Sequence, residues 1–404
     1  MLYAAYQMQD DLLSPMREIA SATRRMSSSW NLGFDKFMPG HFLAALEMMS
    51  RYKLTHSRPS FGFDSVRSGN ADVGVREDVV LDLPFGNLLR FTKDTEVAQP
   101  KVLVIAPLSG HFSTLLAGTV RTLLADHDVY ITDWKNARDV PQSAGTFGVD
   151  DYIAYVIRFI EEIGKGTHLL AVCQPCVQAL VAASVMAADN NPAAPRSMTL
   201  MAGPVDPRES PTEVNELAAA KTLEWFQNMV IARVPQRYAG ANRSVYPGFL
   251  QLLAFVSMNL ERHQEQHRKM YRHLAANEIA EAEKIKTFYD EYFAVLDLTA
   301  EFYLETIERV FHNADLANGS FTFRDKPVDP SRIRRTALLT VEGGRDDICG
   351  LGQTAAAHDL CSSLRPHLKR HHLQANVGHY GVFNGKRWER EIYPVVRNFI
   401  LALE

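Results

Sequence analysis

The apolar positions of this chain change their period twice along its length. Over residues 1 to about 58 they recur often, at Trp30, Phe34, Phe37, Met38 and from Phe42 to Met49, and predict a helical arm. Short apolar runs of strand length follow. Asp72 to Leu83 and Asn87 to Phe91 suit a hairpin, and Lys101 to Ala106 is a continuous run of the kind found in a strand buried on both faces. Val129 to Thr132, the run ending at Val172, and Ser197 to Ala202 are further strands. Between them Thr114 to Ala125, Asp151 to Ile163 and Val177 to Ala188 read as helices. Strands alternating with helices imply crossover connections and a largely parallel sheet.

The alternation stops after residue 206. Glu213 to Val234, Phe249 to Leu274 and Ile279 to Phe311 are helical in pattern and rich in aromatics. It resumes with the strand Thr336 to Val341, a short strand over His367 to Leu373 and a terminal helix. The middle block could be a separate bundle, but the return of the α/β pattern favours a cap inserted into one unit. The expected domains are therefore an N-terminal helical arm (1–58), an α/β core (59–206 and 335–404) and a helical cap (207–334).

Composition narrows the class without naming it. Of 404 residues, 46% are hydrophobic and 22% charged, as in a globular protein. A net charge of −4 gives no electrostatic reason to expect nucleic acid as a partner. No apolar run approaches membrane-spanning length, and the first residues lack a basic signal region, so a cytoplasmic protein is expected. Four cysteines, at 173, 176, 349 and 361, are too few for a disulfide scaffold.

The richest stretch for chemistry is Ala171-Val172-Cys173-Gln174-Pro175-Cys176. Cys173 falls where strand becomes helix. A sharp turn there lifts the side chain clear of the sheet, and the helix N-terminus favours thiolate over thiol. Pro175 suits the first helical turn. The arrangement is similar to the nucleophile elbow of the α/β-hydrolase fold, G-x-S-x-G, with Ala and Pro replacing the two glycines and Cys replacing Ser. Two other readings compete on this stretch alone. Cys173 to Cys176 is also a C-x-x-C, as in thiol–disulfide oxidoreductases, and both thiols could be core residues.

The rest of the chain decides between them. An elbow hydrolase needs an acid and then a histidine after its nucleophile. Asp346, with Asp347 as fallback, follows the strand ending at Val341 on a Gly-rich turn. His379 lies between glycines, in an expected loop between a short strand and the terminal helix. The order Cys173, Asp346, His379 predicts that His379 takes the thiol proton and Asp346 orients the imidazole. The backbone N–H groups of Gln174 and Leu108 are the expected oxyanion hole. No metal is expected. The remaining histidines are read as surface or packing residues; His111 alone, which follows the strand whose loop should form the oxyanion hole, leaves a direct role open.

The chain resembles intracellular poly(3-hydroxybutyrate) depolymerases over nearly its whole length. The likeness is carried by Ser65-Val66-Arg67-Ser68, Ala106-Pro107-Leu108-Ser109-Gly110-His111, Tyr130-Ile131-Thr132-Asp133-Trp134 and Val172-Cys173-Gln174-Pro175. Further on it is carried by Gly203-Pro204-Val205-Asp206, Ser210-Pro211-Thr212, Val245-Tyr246-Pro247-Gly248-Phe249-Leu250-Gln251, Thr340-Val341-Glu342-Gly343, Gly352-Gln353-Thr354 and Gly378-His379-Tyr380-Gly381. The resemblance implies an α/β-hydrolase that degrades amorphous polyester on cytoplasmic storage granules, with Cys173 as nucleophile, Asp346 as acid and His379 as base. It implies no cofactor, although coenzyme A could accept the acyl group. It assigns no catalytic role to Cys176. A polyester synthase-like acyltransferase and a granule-binding protein are the alternatives, and a homo-oligomer remains open.

Overall fold

The computed structural model describes residues 2–29, 40–258 and 260–404. The apolar positions expected at Trp30, Phe34, Phe37 and Met38 lie outside the described residues.

Two helices open the chain, α1 (Leu2–Ser29) and α2 (Gly40–Arg51). The sheet then begins with β1 (Ser65–Ser68), β2 (Ala71–Leu83) and β3 (Gly86–Lys93), an antiparallel meander whose last two strands are the expected hairpin. β4 (Lys101–Ile105), α3 (Ala117–Leu123), β5 (Asp128–Trp134), α4 (Val149–Ile163), β6 (His168–Val172), α5 (Cys176–Ala188) and β7 (Ser197–Met201) alternate as the pattern requires.

The middle block carries α6 (Glu213–Ala220), α7 (Leu223–Val230), β8 (Ala232–Arg233), β9 (Ser244–Tyr246), α8 (Gly248–Met258), α9 (Leu260–Ala275), α10 (Ile279–Tyr292), β10 (Leu298–Thr299), α11 (Ala300–Thr306), α12 (Asp315–Asn318), β11 (Thr322–Phe323) and β12 (Lys326–Pro327). β13 (Ala337–Gly343), α13 (Ala357–Leu360), β14 (Lys369–Gln374), α14 (His379–Phe383), α15 (Gly385–Arg387) and α16 (Tyr393–Leu401) complete the chain.

The main sheet runs β1-β2-β3-β5-β4-β6-β7-β13-β14, parallel from β5 onward. Its strands are apolar on both sides because both faces are covered. Leu103, Ile105, Leu169 and Ala171 face one core with α4 and α5, while Val102, Val104, Leu170 and Val172 face the other with α3 and α16. Each such side chain, taken fully from water, contributes about 1.5–3 kcal/mol. In α4 the spacing of Tyr152, Ile153, Val156, Phe159, Ile160 and Ile163 turns one stripe inward. α5 is buried nearly all round, as its run of small residues implies. This is the α/β-hydrolase fold, with β6 at the centre of the parallel region.

The middle block departs from the expected pattern in three places. The helix read over Glu213 to Val234 breaks between α6 and α7, and Ala232–Arg233 is a strand. The stretch read as helix from Ile279 to Phe311 opens after Tyr292 to pair Leu298–Thr299 with β9. The stretch Phe249 to Leu274 forms two helices, with residue 259 outside the described residues. Strands of two or three residues carry no period of their own, so their partners alone define β8, β9 and β10. The arm packs on this block more than on the sheet: α2 lies against α9, and Tyr3 of α1 packs on Phe249.

Candidate active site

The centre of the site is the turn between β6 and α5. Cys173 sits there at φ +67°, a left-handed conformation for a residue with a Cβ. Such a residue costs on the order of 1–3 kcal/mol and persists only where neighbours enforce it. Here they do: its N–H donates to the Met201 carbonyl at 2.8 Å, and its own carbonyl accepts from Cys176 at 3.0 Å. The end of β7 closes tightly on this turn. A Cβ at Gly203 would lie 2.3 Å from Cys176 Sγ and 2.5 Å from the Cys173 carbonyl oxygen. Cys173 is half-buried, whereas Cys176, Cys349 and Cys361 are buried.

Cys176 belongs to the core. Its thiol faces the carbonyls of Ala171 and Met201, at 3.4 and 3.6 Å, and burial pushes it well above the usual thiol range. A redox pair needs an accessible thiolate, which this environment disfavours. The C-x-x-C spacing has no geometric support.

His379 does not lie in a loop as expected but opens the short helix α14. Its Nδ1 meets Asp346 Oδ2 at 2.8 Å and Oδ1 at 3.0 Å. The ring is held edge-on by Tyr380 and Phe383, with centroids at 5.9 and 5.5 Å. Desolvation by burial works against the imidazolium. The charges of Cys173 and Asp346, and hydrogen bonds to both, overcome it and hold His379 well above its ordinary value. Cys173, His379 and Asp346 are thus brought together.

Of the two carboxylates offered by the turn, Asp346 faces the histidine and Asp347 is exposed. Asp346 Oδ1 also accepts the N–H groups of Ile348 and Cys349 at 2.9 and 2.8 Å, which fixes the carboxylate before any substrate arrives.

Of the expected oxyanion donors, Gln174 follows the thiol directly and Leu108 lies on the turn after β4. Among the described residues, the backbone N–H groups of Leu108 and Gln174 have no acceptor. Leu108 is carried on a turn anchored at Ala106. The Ala106 N–H donates to Thr132 Oγ1 at 2.9 Å, and its carbonyl accepts from Trp134 Nε1 at 2.8 Å and from the Tyr152 hydroxyl at 3.2 Å.

His111 is a packing residue between this turn and the middle block. Its ring lies 5.1 Å from Tyr292 and 5.7 Å from Phe255, and burial pulls its pKa down to about 4, so it is neutral at neutral pH. Tyr292 belongs in turn to the packed cluster against which Tyr380, beside His379, rests. The helices α8 and α10 therefore reach the site through aromatic rings.

One organising residue was not singled out from the sequence. The Glu342 carboxylate, buried at the end of β13, accepts the N–H groups of Gly352, Thr354 and Ala355 at 2.8–3.1 Å. The Thr354 hydroxyl exchanges hydrogen bonds with Gly203 N–H and carbonyl at 2.9 and 3.0 Å. These bonds tie the acid turn to the strand end that closes the elbow. The signal was an acid inside the otherwise apolar run Ala337 to Val341 and Gly343.

A family model described as the PHB de-polymerase C-terminus matches residues 202–404, a stretch that holds Asp346 and His379 and begins after Cys173. No curated protein matches the chain. Among solved structures, a monoacylglycerol lipase of Paleococcus ferrophilus aligns at 11% identity over 80% of this chain and 100% of that one, with a TM-score of 0.43. A 2-hydroxy-6-oxo-6-phenylhexa-2,4-dienoate hydrolase of Rhodococcus aligns at 13% over 82% and 99%, with a TM-score of 0.43. A thermophilic esterase of Thermogutta terrifontis aligns at 11% over 84% and 97%, with a TM-score of 0.40.

Proposed function

The chain belongs to the PHB de-polymerase family and is a carboxylic ester hydrolase, and on that premise we propose that it cleaves amorphous poly(3-hydroxybutyrate) through a Cys173–His379–Asp346 triad. The observation that carries the reading is the row Cys173, His379, Asp346 at the end of the central strand β6, in which His379 is hydrogen-bonded to Asp346 at 2.8 Å and is held well above its ordinary pKa in part by the charge of Cys173.

The chemistry follows from that row. His379 holds the thiol proton, and Cys173 attacks an ester carbonyl of the polymer. The oxyanion that develops is met by the N–H groups of Leu108 and Gln174. As the tetrahedral species collapses, His379 protonates the departing alkoxide, and a thioester to Cys173 remains. Water, activated by the now neutral His379, attacks the thioester and releases 3-hydroxybutyrate or an oligomer. Throughout, Asp346 keeps Nδ1 protonated and balances the imidazolium charge. Coenzyme A, when present, takes the place of water and leaves as the acyl-CoA. The helices of 207–334 act as a cap over the thioester, and the polymer is met on cytoplasmic granules. Among the described residues no helix is long and apolar enough to cross a membrane.

The test is release of 3-hydroxybutyrate from amorphous granules by wild type and Cys173→Ala, with and without coenzyme A. Release by wild type alone supports the reading. No release by an intact wild type, or polymer synthesis from hydroxyacyl-CoA, would replace it with the binding or synthase alternative.

A further inference from the structure

A groove of about 710 Å³ opens between α1 and the pair α8 and α9. That is the size of an ordinary organic-ligand site. Its floor is apolar, made by Leu252, Val256 and Tyr289, and Leu253 stands exposed at its mouth. Packed side chains link this floor to the site. Leu252 and Tyr289 belong to the packed cluster that contains Tyr292, and Tyr380 rests against that cluster. Tyr380 lies beside His379 and feels the charge of Cys173.

The polar part of the lining is donor-rich. Lys53, His267 and Arg268 stand along it. Among the described lining residues the single carboxylate, Asp10, is held by Arg17 at 2.5 Å.

A chain of ester-linked repeats has matching chemistry. It carries no charge and no donor, and it alternates carbonyl acceptors with methyl and methylene groups. An apolar floor can desolvate the hydrocarbon, while donors on the wall satisfy the carbonyls that would otherwise be buried unpaired. We propose that this groove holds the stretch of polyester that flanks the ester being cleaved. The proposal rests on the polyester-hydrolase reading above and adds where the polymer lies. Binding energy from repeats remote from the reacting carbonyl then aids cleavage of polymer and is out of reach of a short ester.

The test compares initial rates on amorphous poly(3-hydroxybutyrate), on 4-nitrophenyl butanoate and on a long-chain 4-nitrophenyl ester. The proteins are wild type, Leu253→Trp, and Leu253→Trp with Val256→Trp. Leu253 is exposed, so the single variant tolerates the larger ring even if the double variant fails to fold. The expected result is a fall in the ratio of polymer to butanoate turnover, by about tenfold in the double variant and severalfold in the single one. An unchanged ratio in a folded variant would overturn the proposal. So would a loss confined to the long-chain ester, which would place a fatty acyl chain in the groove. Failure of the underlying reading is seen separately, in a wild type that releases nothing from polymer.

Discussion

The parallel sheet and the helices beside it treat apolar side chains in opposite ways. In β4, Val102 to Ile105 are wholly buried, and the turns at the strand ends are anchored through Glu342, Thr354 and Thr132. In α1, Leu12 is 75% exposed, Met8 74% and Ile19 65%, and in α8 Leu253 is 62% exposed. The first region holds groups still, and the chemistry of Cys173, His379 and Asp346 sits at its edge. The second presents apolar surface that contributes nothing to the fold by burial. Such surface is the kind that meets an apolar partner. Rigid packing and open apolar surface are thus divided between two parts of one chain.

The largest expected effect lies on the precise side. Cys173→Ala should lower polymer cleavage by about a thousandfold or more, while Cys176→Ala keeps most of it. Equal losses in the two, measured as 3-hydroxybutyrate release, would restore the paired-thiol reading. Next is Asp346→Asn, expected to lower kcat/KM by about a hundredfold to ten-thousandfold. Its sign on pH is fixed by the causes acting on His379. The carboxylate favours the imidazolium, so its removal moves the His379 titration to lower pH, a shift readable by NMR. An unchanged titration would mean that the Asp346 charge does not govern the ring.

Stability should separate the regions less steeply. Glu342→Gln weakens charge-assisted bonds from three N–H groups, and should cost about 2 kcal/mol in urea unfolding. Leu12→Glu, on the open face of α1, should stay within about 0.5 kcal/mol while reducing sedimentation with amorphous polymer. A large stability loss at Leu12 would show that the face is packed after all and erase the contrast.

Much of the precise region was legible in the sequence, because its signals are local. β-branched runs gave the buried strands, and the thiol at the strand-to-helix switch, the Gly-rich acid turn and the Gly-flanked histidine arrived in order. What was not legible depends on partners far away in the chain. β1 shows no period of its own and exists through β2. The break after Tyr292 is made by the pairing of Leu298–Thr299 with β9. The use of Glu342 as an anchor for N–H groups follows from how the turn closes rather than from residue type. The helical start at His379 was missed because Gly378 and Gly381 read as loop residues.

The unequal burial of the thiols also sets how the protein ages. Three of the four sulfurs are shut away, and only Cys173 reaches solvent. In a cell under peroxide stress, or in a stored preparation, the first sulfenic acid should therefore form on that one atom. Activity would then vanish while the fold, held by the rest of the molecule, stays intact. A mild reductant would bring it back until the sulfur is oxidised further. On the proposed mechanism, the lifetime of this catalyst is that of a single sulfur atom.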